Sequence, residues 1–371
     1  MDAGHLLGSS SIEIWLEENG ISKKLLFSGD IGNFHQPLIR DPQYADTADY
    51  VIMESTYGNR LHEKPKNYIQ DFLQILLETF QRGGSVIIPS FAVGRTQELL
   101  YFLKQIKDQN LLGKYQDVPI YVDSPLAIEA TEIFQRNKES CFDEEALAYV
   151  QRGENPIGVS GLRTAVTSEA SMAINADTRS KIVISASGMC EAGRIKHHLK
   201  HNLWKPENTI LFVGYQAVGT LGRRLLEGAN YVTLFGESVK VAAQIRQLQG
   251  MSGHADQKGL ELWIQHVQQV KKVFVIHGET TAADTFTELL NEQGISAYAP
   301  YSGTEFDVAS GQFLHEAEPV YLEKPKSVKA SATYDRLQIA LDRVTAYIQN
   351  ARGYSNKELA KMADQLTQLC N

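Results

Sequence analysis

The chain has 371 residues, 43% of them hydrophobic, 22% charged and 9% aromatic, with a formal net charge of −8 at pH 7. This is globular composition with room for about two or three domains, and neither a basic-then-apolar leader nor an apolar run of the ~18–20 residues that a membrane span needs occurs in it. The acidic balance argues against nucleic-acid binding by the whole surface while leaving room for a local basic strip, and three scattered cysteines, Cys141, Cys190 and Cys370, fit a cytoplasm that keeps thiols reduced.

Strands are predicted over 11–16, 24–28, 50–54, 85–89, 119–122, 181–185, 209–213 and 272–276. Helices are predicted over 66–82, 94–109, 128–137, 192–202, 220–226, 258–268 and 282–293. The runs Val86-Ile-Ile88, Ile182-Val-Ile184 and Val273-Phe-Val-Ile276 are apolar on consecutive positions. A strand covered on both faces reads that way, so the expected class is α/β with parallel sheet between helices. Residues 85–214 resemble a Rossmann-like layer of their own, and 143–178, with Gly153, Pro156, Gly158 and Gly161, read as a long loop. Beyond Tyr321, Lys324-Pro-Lys-Ser-Val-Lys-Ala-Ser reads as a linker to a helical hairpin. Its first helix carries Leu337, Leu341, Val344 and Ile348 on one stripe, and Gly353 is its stop. Ser355-Asn-Lys-Glu358 is a capping box opening the second. This tail reads as a packing or homo-oligomerisation element.

Five short segments place a His or carboxylate at a strand end or glycine turn: Asp2-Ala-Gly-His5, Ser28-Gly-Asp30, Glu54-Ser-Thr-Tyr-Gly58, Ser252-Gly-His254-Ala-Asp256 and Ile276-His277-Gly-Glu279. Strand ends beside glycines project side chains into a crevice and let a ligand approach the backbone. Neutral imidazole and carboxylate suit a divalent metal such as zinc, and an aspartate can bridge two ions. A histidine held by a carboxylate, as Glu54 and His254 would be if they meet, has a fixed tautomer and a raised pKa suited to general acid work. Taken singly each residue has a plainer reading, a hydrogen-bonded histidine or a polar turn; only the set is informative. The stretch 193–205 is the candidate basic strip, with Arg194, Lys196, Lys200 and Lys205, against the plainer reading of a solvated helix face. His197 and His201 share a helix face there. No acidic residue stands between them and lysines surround them, which disfavours a separate metal site.

In order and in wording these segments resemble the metallo-β-lactamase-fold nucleases with a β-CASP insertion, the group of ribonuclease J and the pre-mRNA 3′-end endonuclease, over roughly 2–315. Supporting matches are Pro89-Ser-Phe-Ala-Val-Gly-Arg-Thr-Gln-Glu98, Ser185-Ala-Ser-Gly-Met-Cys-Glu-Ala-Gly-Arg194 and Gly214-Tyr-Gln-Ala-Val-Gly-Thr-Leu-Gly-Arg223. The resemblance implies the C-terminal half of an αββα metallo-β-lactamase sandwich from 1–56 and 237–322, an inserted β-CASP domain over 57–236 and a helical tail over 323–371. It further implies a ribonuclease using two divalent metals, zinc first among them. His5 and His277 would be ligands and Asp30 the bridge, with His254 backed by Glu54 as the proton donor. Ser252, Arg95, Arg194 and Lys196 would be substrate contacts, and His277, where DNA-repair members tend to carry valine, points to RNA.

One departure stands out: the family's His-x-His-x-Asp-His run, which supplies four further ligands, occurs nowhere in the 371 residues. The expectation is therefore an incomplete metal site, a sheet with an exposed apolar face, and a chain inactive alone. It would be N-terminally truncated or mis-started, or else the product of a split or decayed gene. A non-catalytic RNA-binding or scaffold subunit is the competing reading.

Overall fold

The computed structural model describes residues 1–62, 67–248, 250–320, 340–341, 344–345, 348 and 355–369. The proposed linker at Lys324, Leu337 of the apolar stripe and the stop at Gly353 lie outside the described residues. One compact unit covers Met1–Ala317 and a second Glu318–Asn371.

In chain order the first unit begins with β1 (Ile12–Glu18), β2 (Ile21–Phe27), β3 (Tyr50–Glu54), α1 (Tyr68–Gln81), β4 (Val86–Pro89) and α2 (Arg95–Asp108). There follow β5 (Ile120–Val122), α3 (Pro125–Arg136), α4 (Lys138–Cys141), α5 (Glu144–Gln151), β6 (Leu162–Thr164), α6 (Ser168–Ala176), β7 (Ile182–Ser185), α7 (Ile195–Asn202), β8 (Thr209–Phe212) and α8 (Leu221–Leu226). The hairpin β9 (Tyr231–Leu234) and β10 (Glu237–Lys240) precedes β11 (Gln244–Gln247), α9 (Gln257–Gln265), β12 (Lys272–Ile276), α10 (Thr280–Glu292) and β13 (Ala297–Tyr298). A second hairpin, β14 (Glu305–Asp307) and β15 (Gln312–His315), closes the unit.

Two sheets organise these elements. The larger has the order β11-β8-β4-β7-β5-β6 and is parallel at every pairing. Its central strands bury every residue, as their continuous apolar runs require. Alternate side chains enter opposite cores: Val86, Ile88, Ile182, Ile184 and Leu211 join one, Ile87, Val183, Ile210 and Phe212 the other. Several helices around it start on side-chain caps. Ser124, followed by Pro125, accepts from Ala127 N at the start of α3, and Asn67 and Thr167 cap α1 and α6.

The smaller sheet has the order β1-β2-β3-β12-β13, with β1 antiparallel to β2 and the remaining pairs parallel. One face packs Leu26, Val51, Met53, Val273 and Val275 against Trp263 of α9 and Phe286 of α10. The other face is partly bare, as the sequence led us to expect. Ile12, Ile14 and Leu16 are 56%, 39% and 41% exposed on β1, where Ile12 and Ile14 pair with half-buried Phe27 and Leu25. Further along, Phe306 and Phe313 of the β14–β15 hairpin pack edge-on against Phe274.

The stretch 143–178 departs from its expectation as a long loop. It holds α5, the short β6 on the sheet edge and α6, each too short for a clear periodic signal. Asp143 and Thr167 nonetheless are N-caps legible in hindsight. In the second unit, helix Asn356–Leu369 opens on the capping box, Glu358 N donating to Ser355 Oγ (3.4 Å) and Ser355 N to Glu358 Oε2 (3.0 Å). No helix among the described residues is long and apolar enough to cross a membrane.

Candidate functional site

The site lies at the carboxyl edge of the smaller sheet. There β3 and β12 run parallel with Ile276 opposite Glu54, so Glu54 and His277 emerge side by side at adjacent strand ends. His277 takes a left-handed φ of +49°, sparsely used by non-glycine residues and characteristic of functional turns. Its carbonyl accepts from Ser55 N at 3.1 Å, tying the two strand ends together. Asp30 follows β2, and the next amide, Ile31 N, donates to Glu54 Oε1 at 2.5 Å.

His5 sits in a turn closed by Ala3 N donating to Ser9 O (3.0 Å), while Ser9 Oγ accepts from both His5 N and Leu6 N at 3.1 Å. Two close backbone approaches bring this turn to its partners. A Cβ on Gly32 would sit 1.8 Å from Gly4 O, and one on Gly253 would sit 2.8 Å from His5 Cε1. Only glycine fits at Gly32, against backbone, while a side chain at Gly253 would have to displace the His5 ring. The second approach lays the His5 ring beside the segment carrying His254, whose ring centroid is 4.2 Å away.

The outcome is a cluster drawn from four separated segments. Donor atoms of His5, Asp30 and His254 lie within 4.8 Å of one another. His277 joins through Asp30, its Nδ1 standing 3.3 Å from Oδ1 and equally far from Thr56 Oγ1. Behind them His254 Nδ1 donates to buried Glu54 Oε1 at 3.2 Å. The tight triple thus groups His254 with His5 and Asp30 more closely than the separate treatment of His254 in the sequence reading anticipates.

The electrostatics follow from burial and pairing. Burial pushes the His5 imidazole below its ordinary value, and the neighbouring His254 adds to that. Burial acts on His254 in the same direction, but the hydrogen bond and charge of Glu54 outweigh it and raise the imidazole overall. For Glu54, burial favours the neutral acid, yet the hydrogen bond and charge of His254 and bonds from Thr56 and Ile31 hold it below the usual carboxylate range.

These donors suit a zinc-type ion. Among the described residues His5 Nδ1 is buried without a hydrogen-bond partner, a state that costs free energy unless something fills it. His5 and Asp30, with His277 joined through Asp30, offer two imidazoles and a carboxylate of the kind a catalytic zinc takes, while His254 Nδ1 is committed to Glu54. A second ion would need more donors than the described residues gather here.

The other expected site residues fall elsewhere. Ser252 stays close, its hydroxyl donating to His254 O at 3.3 Å. Arg95 does not offer itself to a ligand: it is ion-paired with Glu98 and donates to Met251 O at 2.5 Å. Arg194 is an internal pin, bound to Asp123 Oδ1 (2.7 Å), Ala165 O (2.8 Å) and Val166 O (2.7 Å). Lys196 lies over the Phe235 ring, which His197 also stacks against at 4.4 Å. The basic strip is thus largely engaged in packing.

Two groups escaped the sequence reading. His62 donates from Nε2 to His254 O (2.9 Å), and its own N–H donates to Asp256 Oδ2 (3.1 Å), so it props the backbone beneath the cluster. It lies only four residues beyond Gly58, where the matched segment stops. The other is a buried network at the end of β5. Asp123, fully buried, receives Arg194, Ser171 Oγ (2.5 Å) and His198 Nε2 (2.6 Å), and His198 Nδ1 faces Asn175 Oδ1 at 2.9 Å. Nothing in the spacing of Asp123 marks it.

A family model described as Beta-Casp domain matches residues 96–225, and one described as Zn-dependent metallo-hydrolase RNA specificity domain matches 238–300. Ribonuclease TTHA0252 of Thermus thermophilus is 38% identical over 292 residues, covering 79% of this chain and 65% of that protein. An RNase J-like protein of Methanocaldococcus jannaschii is 34% identical over 307 residues, covering 82% and 69%. Transcription termination factor FttA of Methanosarcina mazei is 30% identical over 291 residues, covering 76% and 45%. The chain thus spans between about half and about two-thirds of the length of these curated relatives. The α/β sheets, the imidazoles and carboxylate gathered at the edge of the smaller one, and the matched Zn-dependent metallo-hydrolase domain mark a metal-dependent hydrolase. The chain belongs to the β-CASP family of metallo-β-lactamase-fold hydrolases.

Proposed function

We propose that the chain is the β-CASP-bearing part of a zinc-dependent ribonuclease acting in the cytoplasm, with RNA held between a partial metallo-β-lactamase domain (1–56 and 237–322) and an inserted β-CASP domain (57–236). The observation that carries this is the convergence of His5, Asp30, His254 and His277 from four segments, with Glu54 behind His254. In this reading His5, Asp30 and His277 hold metal. Divalent ions bound there, two in the complete enzyme, would polarise the phosphodiester and lower the pKa of an attacking water. His254 protonates the leaving oxygen: Glu54 fixes its Nδ1 as donor and favours the charged ring, leaving Nε2 to deliver the proton.

The relatives named as ribonucleases support RNA as the substrate. Among the described residues the donor set stays short of two ions, and on this reading the chain alone is inactive. That ligand shortage favours a second reading, a non-catalytic RNA-binding or scaffold subunit. The test takes the chain joined to a His-x-His-x-Asp-His-bearing segment of a relative. His254→Ala should then abolish RNA cleavage while leaving bound zinc unchanged. Zinc lost in parallel with activity would make His254 a ligand instead, and no cleavage by the unsubstituted form would favour the scaffold.

A further inference from the structure

Beside the histidine cluster, one exposed guanidinium lies between two tyrosines carried by different sheets. Arg60 Cζ lies 4.3 Å from the ring centroid of Tyr57 and 5.8 Å from that of Tyr215. Tyr57 follows β3 and touches the cluster, edge-on to His254 at 6.1 Å and to His62 at 4.7 Å. Tyr215 follows β8, at the carboxyl end of the larger parallel sheet, where open α/β sheets bind their ligands.

Both ends of this bridge are anchored. Arg60 N donates to Tyr57 O (3.2 Å), and its carbonyl accepts from Gln257 N (3.0 Å) at the start of α9. Next to Tyr215, buried Gln216 donates from Nε2 to Gly188 O at 2.9 Å. The functional groups, by contrast, are open. Arg60 is exposed and forms no ion pair among the described residues, and Tyr215 is 43% exposed. A structural arginine normally finds a carboxylate, as Arg95 and Arg194 do here. An arginine set on aromatic faces with no acceptor for its donors among the described residues is arranged to meet a planar or phosphate-bearing ligand.

We propose that Arg60 and Tyr215 grip the nucleotide next to the one held at the histidine cluster. Arg60 binds its phosphate, and the Tyr215 ring stacks on its base. The ligand class is single-stranded RNA without base preference, because every base offers a π-face, whereas a duplex keeps its bases stacked inside. The inference rests on the RNA reading above and adds the two residues that position the strand across the sheets.

The test is binding rather than cleavage, so it can be run on the 371-residue chain as it exists. Anisotropy of a short fluorescent oligouridylate is followed as a function of salt, with melting curves checking that each variant is folded. Tyr215→Ala should weaken binding about 5- to 150-fold with an unchanged salt slope, and Tyr215→Phe should bind normally. Arg60→Gln should also weaken binding, and should lower the slope of log affinity against log salt by about 0.7, one phosphate contact on a single strand. Binding by the unsubstituted chain that neither variant changes would overturn the inference and leave the RNA reading standing. Equal affinity for duplex RNA would overturn it too. Absence of any RNA binding by the unsubstituted chain would remove the RNA reading and this inference together.

Discussion

Replacing Glu54 by Gln tests the electrostatic logic of the site without removing bulk. Glu54 Oε1 accepts from Ile31 N at 2.5 Å and His254 Nδ1 at 3.2 Å, and Oε2 accepts from Thr56 N at 3.3 Å. An amide keeps one acceptor and turns a donor towards groups that themselves donate. Losing a charge-assisted hydrogen bond in this buried position should cost about 1.5–3 kcal/mol.

The pH dependence fixes the sign. The carboxyl is lowered on folding, so its contribution is complete above the ordinary value of 4.5 and is lost as pH falls through the lower folded value. The imidazole is raised on folding, so its contribution is complete below the ordinary 6.5 and is lost as pH rises through the higher folded value. The deficit of Glu54→Gln should therefore be largest between those two values and shrink on either side. Urea titrations at several pH values measure the deficit, and NMR titration of the metal-free protein should show the His254 imidazole falling, since burial then acts with less opposition. A His254 value that stays raised, or a deficit that does not vary with pH, would refute the reasoning.

Three further outcomes follow from particular contacts. Asp123→Asn leaves Arg194 short of its buried counter-charge and should cost about 3–5 kcal/mol by urea titration. Because hydrogen bonds from His198, Ser171 and Arg194 overcome burial and lower the Asp123 carboxyl, the native chain should also lose this contribution in acid, below the ordinary 3.8, and the variant should not. Gly253→Ala pushes on the His5 ring and should weaken zinc affinity about 10- to 100-fold in a chelator competition while the melting curve barely moves. Replacing Ile12, Ile14 and Leu16 together by Thr should reduce binding of a hydrophobic dye; unchanged fluorescence would mean that the β1 face is not the exposed apolar surface.

Sequence reading reached furthest where one physical signal dominates. Continuous apolar runs located β4, β7, β8 and β12 within a residue or so, because full burial leaves no alternation to misread. The glycine-flanked His and carboxylate segments marked the site, since close approach leaves no room for a side chain at Gly32 and sets the His5 ring directly against Gly253. Short elements with mixed burial, such as β6 and the hairpin strands β9 and β10, carried too few residues for a period to emerge. Contacts between distant positions were out of reach altogether. Arg95 and Arg194 looked free in one dimension and are pinned in three, while His62 and Asp123 gain their meaning only from what folds against them. The helix Asn356–Leu369 bears a half-exposed stripe of Leu359, Met362 and Leu366, which leaves self-association through the tail as a proposal for sedimentation to test.

The most direct measurement is the zinc stoichiometry and affinity of the purified 371-residue chain, by metal analysis after dialysis and by chelator competition. The account predicts at most one weakly held ion per chain, weakened further by His5→Ala and by Asp30→Asn. Two tightly bound ions per chain would contradict it.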